Sequence, residues 1–270
     1  MNAVLKTLLL LAMLAALNGC ALLREPEDET KNWSAREIQN AAKAALNGGD
    51  YETSIKYYEI LDARYPLGIF AQQAQLDVIY AYYKSEEPES AIAAADRFIK
   101  LYPRHPHVDY AYYMKGLANF NQRFGMLERY LPLDLSERDQ AASKQSFQNF
   151  AELLTLYPKS MYADDARQRM VYLRNSLARY ELHAADYYLR RGAYLAAVNR
   201  AQYVVQHYDR TTPVPDALLI MAKAYKHLGY ADLLKDTLSV LTLNYPDYPY
   251  LSELDDIKAL ETELAELKPR

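Results

Sequence analysis

Four stretches of this chain repeat one spacing. Gly49-Asp50-Tyr51 precedes Tyr65-Pro66, and Glu86-Glu87-Pro88 precedes Tyr102-Pro103. Gly192-Ala193-Tyr194 precedes Tyr208-Asp209, and Gly229-Tyr230-Ala231 precedes Tyr245-Pro246. In each case the first residue lies 16 positions before the terminal tyrosine, and two neighbouring pairs of these tyrosines, Tyr65/Tyr102 and Tyr208/Tyr245, are 37 residues apart. A period in the thirties constrains the fold severely. Each unit is a small supersecondary element that buries its apolar face only by stacking on a neighbour, so the chain must build a repeat array.

The patterning within a unit is helical. Ile38, Ala41, Ala42, Ala45 and Leu46 fall on one stripe at spacings of three and four, Gly48-Gly49 ends it, and Tyr51, Ile55, Tyr58 and Leu61 line the return. Small residues on the first helix admit a close second helix, and rings fill the seam. Ser34 and Glu37 form a capping-box pattern, with Trp33 placed to staple onto Ile38. Proline after the terminal tyrosine stops each helix and turns the chain.

Further first helices are expected at 70–84, 108–122, 162–191 and 214–228, and second helices at 88–101, 136–156, 194–208 and 231–244. That makes five hairpins. A last amphipathic helix over 252–267 would cap the open end through Leu254, Ile257, Leu260 and Leu264. The fold class is therefore all-α, a helical hairpin solenoid of five repeats plus a C-terminal capping helix. The spacing resembles the tetratricopeptide repeat (TPR) through Gly49/Tyr51, Ala91, Ala197 and the terminal Tyr-Pro pairs, without that motif's first-helix tryptophan.

Two departures from the period stand out. Tyr102 to Tyr157 spans 55 residues, and the surplus falls at about 122–139, a stretch carrying Phe124, Met126, Leu127, Tyr130 and Leu131. Such an apolar insertion either packs back on the body or meets a partner. The stretch 162–191 holds neither proline nor glycine. It reads as one helix of roughly 45 Å joining three N-terminal hairpins (33–160) to a C-terminal pair and terminal helix (161–270). Arg167, Arg169, Arg174 and Arg179 along it read as a solvated face.

The N-terminus carries a different signal. Residues 3–17 are apolar, open with one lysine, Lys6, and run through Leu17-Asn18-Gly19 into Cys20, the chain's single cysteine. The run is too short for a span of roughly 20 residues and matches a secretory leader. It resembles a bacterial lipoprotein signal: 1–19 would be removed, and Cys20 would be acylated. Residues 20–32 would then form a lipidated tether. Ala21, where inner-membrane retention would call for aspartate, resembles the outer-membrane sorting pattern. An acyl anchor holds a body at a membrane without spanning it.

Composition narrows the function. With 31 basic and 35 acidic side chains, a net charge of −4, the chain lacks the basic character of a nucleic-acid binder. Its 26 tyrosines suit seams and interfaces, where a ring is buried and its hydroxyl stays wet. Catalytic and metal signals are weak. The five histidines are dispersed, and His105-Pro106-His107 is the one close pair, a turn more readily than a metal site. Neither a phosphate-binding glycine loop nor a nucleophile elbow is present. A scaffold without catalysis, cofactor or metal is expected.

Several features together are similar to the BamD (YfiO/ComL) family of outer-membrane lipoproteins. These are the lipoprotein signal, the divergent hairpins, and the insertion ending Leu133-Asp134-Leu135-Ser136-Glu137-Arg138-Asp139. To them are added Tyr180-Glu181-Leu182-His183-Ala184-Ala185-Asp186-Tyr187-Tyr188, Arg191-Gly192-Ala193-Tyr194 and Ala197-Val198-Asn199-Arg200. The resemblance implies a lipid-anchored component of the β-barrel assembly machinery on the periplasmic side of the outer membrane of a Gram-negative bacterium. It would help deliver and insert outer membrane proteins.

The resemblance further implies binding to the last periplasmic (POTRA) domain of the barrel subunit BamA. The matching positions are Arg200 and Asn199, with Arg190, Arg191 and Tyr194 nearby. BamC, BamE and unfolded outer membrane proteins are the other partners implied, with Trp33, Tyr51, Tyr83, Phe124 and Arg129 on the partner or substrate surface. On this reading Arg200→Glu weakens docking and leaves the melting temperature nearly intact. A peptidoglycan-associated adaptor is the alternative, and a murein hydrolase would require two convergent carboxylates.

Overall fold

A computed structural model describes residues 29–122 and 140–250. Among the described residues there are ten α-helices and no strand. They are α1 (Ala35–Gly48), α2 (Tyr51–Arg64), α3 (Ile69–Lys84), α4 (Pro88–Leu101) and α5 (Val108–Gln122). There follow α6 (Ala141–Leu156), α7 (Ala163–Arg190), α8 (Tyr194–His207), α9 (Val214–Leu228) and α10 (Ala231–Asn244). The fold is an all-α array of TPR-like helical hairpins. The helix limits expected from punctuation are met within one residue wherever both ends are described. Helix α6 starts at Ala141 with Gln140 as N-cap, and the earlier residues expected in it lie outside the described chain. So do the leader, Cys20, the insertion with Phe124 and Arg129, and the expected helix at 252–267.

Two compact units divide the chain within α3, between Ala74 and Gln75. In the first, the capping box forms as the sequence predicts: Ser34 Oγ accepts from the Glu37 N–H at 3.4 Å, and the Glu37 carboxylate accepts from the Ser34 N–H at 2.7 Å. Gly49 adopts φ +81 and ends α1, and Asp50 caps α2 through the Thr53 N–H at 3.1 Å. Ile38 and Ala42 bury against Ile55, Tyr58 and Leu61 in the seam expected of them. The return end is tied to the entry. Arg64 donates to the Thr30 carbonyl at 2.5 Å, and the Tyr65 hydroxyl donates to the Trp33 carbonyl at 3.1 Å.

The second unit has one contiguous interior along α3–α7 and another along α7–α10. Helices α5 and α6 meet closely at Gly116. A Cβ there would lie 2.3 Å from the Phe150 ring, so only glycine fits. The Ser146 hydroxyl donates to the Gly116 carbonyl at 2.9 Å across the same contact.

The terminal tyrosines share one geometry. Tyr65, Tyr102, Tyr157 and Tyr245 have φ between −128 and −133 and ψ between 57 and 62. These angles lie outside the α region, which a following proline disfavours. Each N–H closes the last turn onto the carbonyl four residues back, on Leu61, Phe98, Leu153 and Leu241, all fully buried. Tyr208 has no proline after it, and its ψ relaxes to 40. Helix α7 clasps that loop instead: Arg174 pairs with Asp209, and Asn175 accepts from the Thr212 N–H at 2.8 Å and its hydroxyl at 3.0 Å.

Candidate partner-binding surface

The end of α7 and the whole of α8 carry five of the residues singled out in the sequence. The turn between the helices is set by Gly192 at φ +75, a left-handed conformation that glycine adopts without strain. Arg190 pairs with Asp186 one turn back at 2.9 Å, and the Arg191 guanidinium lies 5.3 Å from the Tyr187 ring centroid. Tyr194 stacks on His227 of α9, with centroids 4.4 Å apart and planes within 6°. That contact fixes the start of α8 against the core and makes Tyr194 half-buried. Arg190, Arg191 and Tyr194 thus share one turn, while Arg200 lies roughly 9 Å further along α8 at 1.5 Å per residue.

Arg200 is held from below. Its Nη1 donates to Glu181 Oε2 at 2.7 Å, with the Arg200 side chain 47% exposed and the Glu181 side chain 9% exposed. The hydrogen-bonded Glu181 carboxylate raises the guanidinium pKa further above an already high value. Only Nη1 is engaged by Glu181, so the side-on Nε–Nη2 edge points away from that bond. This geometry corrects one expectation. Arg200→Glu sets a second carboxylate against a buried one, and the fold cannot be indifferent to it.

Sequence reasoning missed two neighbours of this site. Leu195 and Tyr203 lie one turn either side of exposed Asn199, at spacings of four, and are 62% and 41% exposed. Tyr203 stacks on His207 with centroids 4.1 Å apart, which restrains the ring. The apolar row Leu195–Tyr203 was legible in the i, i+4, i+8 spacing, but the buried face of α8 had first to be known. The cleft of about 320 Å³ between α7 and α9, lined in part by His183, Asp186, Ile220, Lys223 and Tyr248, includes neither Arg200 nor Glu181.

A contrasting cluster sits near the start of α7. Tyr113 donates to Asp165 Oδ2 at 2.6 Å, Arg169 Nε donates to the same oxygen at 2.6 Å, and the guanidinium lies 4.8 Å from the Phe120 centroid. Tyr113 stacks on Tyr162 at 4.6 Å. Burial, then the bond to Asp165, pushes the Tyr113 hydroxyl up to about 12. Burial pushes the Asp165 carboxyl upward, but the bonds from Arg169 and Tyr113 outweigh it and hold the group below its usual range. Arg169, which packs on Phe120 of α5, and Arg174, which holds the loop after α8, are therefore not the solvated face expected of them. Arg167 does fit that expectation, paired with Asp164 at the surface.

Of the remaining residues, Trp33 lies on Tyr57 with centroids 5.7 Å apart, and Tyr51 is half-buried at the start of α2. Tyr83 is turned inward, its hydroxyl accepting from Asn121 at 2.5 Å, which leaves less of it for a partner. His105 accepts from the His107 N–H through Nδ1 at 3.1 Å, which closes the turn on itself. Among the described residues no three His, Cys, Asp or Glu side chains converge as metal ligands, and no helix is long and apolar enough to cross a membrane.

The family model described as YfiO, outer membrane lipoprotein, matches residues 31–241, most of the chain and nine complete helices. The chain belongs to the YfiO family of outer membrane lipoproteins. Relatives of this YfiO member named "Outer membrane protein assembly factor BamD" include one from Neisseria meningitidis serogroup B, 42% identical over 92% of this chain and 94% of that one. Another, from Vibrio cholerae, is 38% identical over 88% of this chain and 98% of that one. One from Xylella fastidiosa is 36% identical over 90% and 83%. Among solved structures, a Thermus thermophilus TPR protein aligns over 87% of the chain at 12% identity and a TM-score of 0.36.

Proposed function

We propose that this YfiO family member is an outer membrane protein assembly factor of the BamD type. It acts as a scaffold with no chemical step of its own, anchored through acylated Cys20 on the periplasmic side of the outer membrane. In this reading α8 docks the last periplasmic domain of the barrel subunit BamA, and the N-terminal hairpins meet substrate or the partners BamC and BamE. The observation that carries the docking assignment is the surface of α8. A restrained arginine with an open edge stands beside an exposed Leu195–Asn199–Tyr203 row. Aromatic and arginine anchors of this kind concentrate binding energy at protein interfaces.

The test uses the full chain and the full-length barrel subunit, both purified in detergent. Leu195 is exposed, so Leu195→Asp leaves the melting temperature unchanged and weakens the complex about tenfold or more. Unchanged affinity removes α8 from the interface. Recovery of the anchored protein on cell wall, with no barrel subunit co-purifying, replaces the assembly role with that of a wall-associated adaptor.

A further inference from the structure

We infer that Glu181 is a positioning residue for docking: its buried carboxylate holds Arg200 by Nη1 and thereby presents the Nε–Nη2 edge to an acidic side chain of the partner. The inference rests on the reading that α8 is the docking helix, and it deepens that reading by assigning a residue outside the contact surface.

Three observations support it. Glu181 lies on α7, one helix behind the proposed surface, and is nearly inaccessible, whereas Arg200 is half-exposed. A partner therefore reaches the guanidinium but has little access to the carboxylate. The 2.7 Å bond uses one terminal nitrogen, leaving a pair of parallel N–H donors with the spacing of a carboxylate. Lastly, Glu181 sits in a buried row of α7 with Leu177, Ala178 and Ala185, so its own backbone and rotamer are fixed by packing. A free surface arginine has many rotamers, most of which aim its fork elsewhere. Fixing one of them before encounter removes an ordering cost from association and shows up as tighter binding. The guanidinium then lies between two carboxylates, one from each protein, and its single positive charge is shared. Lysine could not do this with the same directionality, having no planar edge to hold in register.

The experiment is a double-mutant cycle on the full chain, with binding to the detergent-purified barrel subunit and thermal melting read in parallel. Glu181→Gln keeps the shape and an acceptor oxygen but removes the charge that grips Arg200. It weakens the complex about threefold to tenfold in the wild-type background. In an Arg200→Lys background, where the fork is already gone, the same change has little further effect on affinity. The inference is overturned if Glu181→Gln leaves affinity unchanged while Leu195→Asp still weakens it, because Glu181 is then structural only. It is equally overturned if Glu181→Gln tightens binding, which would make Glu181 a competitor for Arg200. Should Leu195→Asp have no effect, the failure lies with the docking assignment itself, whatever Glu181 does. If Glu181→Gln lowers the melting temperature, Glu181→Asp provides the second variant. It retains charge but withdraws it by one methylene, and it too weakens binding.

Discussion

Helix α7 carries two arginine–carboxylate pairs built to opposite ends. Near its start, Asp165 is shared between Arg169 and Tyr113, and Arg169 lies over Phe120, so both partners are occupied from inside the molecule. Further along, buried Glu181 takes one nitrogen of a half-exposed arginine on the next helix. The ion-pair chemistry is the same. What differs is which partner is buried: the Asp165 pair lies within α7 and is closed off by Tyr113 and Phe120 of α5, whereas the Glu181 pair joins α7 to α8 and leaves its arginine half-exposed. In the first cluster the arginine is the more enclosed partner, with side-chain exposures of 29% for Arg169 and 43% for Asp165; in the second the acid is.

The contrast can be broken most forcefully at Gly116→Ala. The new methyl group must displace Phe150, which packs on Tyr113 with centroids 6.1 Å apart. The gain in helix propensity is outweighed, and the fold should lose about 1–3 kcal/mol by overpacking. Thermal or denaturant melting would register this, while affinity for the barrel subunit at a temperature below the transition stays unchanged. Arg200→Glu comes next. It leaves Glu181 without its cation and adds repulsion, and because Arg200 is half-exposed the loss is below that of a fully buried pair, about 1–2 kcal/mol. Melting should fall together with binding, so this variant by itself cannot assign the contact. Restored melting in the swapped pair Glu181→Arg/Arg200→Glu, with binding still lost, separates the two roles.

The smallest effect concerns pH. The folded Asp165 carboxyl titrates below its unfolded value, so its contribution to stability is present above the unfolded pKa and is lost as pH falls through the folded one. Asp165→Asn therefore lowers the melting temperature modestly at neutral pH, and by progressively less as pH falls below the ordinary carboxylate range and through the depressed titration of the folded group. A constant difference across that window would show that the charge of Asp165 contributes nothing.

Much of this architecture was written in local signals. The Tyr-Pro pairs, Gly49 and Gly229, and the 16-residue interval placed helix ends within one residue, because backbone stereochemistry at proline and glycine acts over two or three positions. The Ser34–Glu37 box was likewise legible. The opposite holds for Glu181–Arg200 and Tyr113–Asp165, which join residues 19 and 52 apart. Their meeting depends on the rotation of each helix about its axis, and a degenerate repeat does not fix that angle from composition. For the same reason Arg169 and Arg174 looked like a wet face, and Tyr83 looked available. Gly116 carried no turn signal at all; its reason is a ring on another helix.

The joints between hairpins lead to a consequence of their own. Four of the five terminal tyrosines are locked by the pyrrolidine ring that follows, a covalent restraint indifferent to the medium. After Tyr208 the ring is missing, and the loop is held by the charge of Arg174 on Asp209 together with the Asn175 bonds. Exposed charges are screened by salt within about 10 Å at 0.1 M. The joint that closes α8 thus has a stiffness that follows ionic strength. The loop after Tyr208 would therefore be held most firmly in dilute solution and would loosen as salt rises, while the four proline joints keep their geometry.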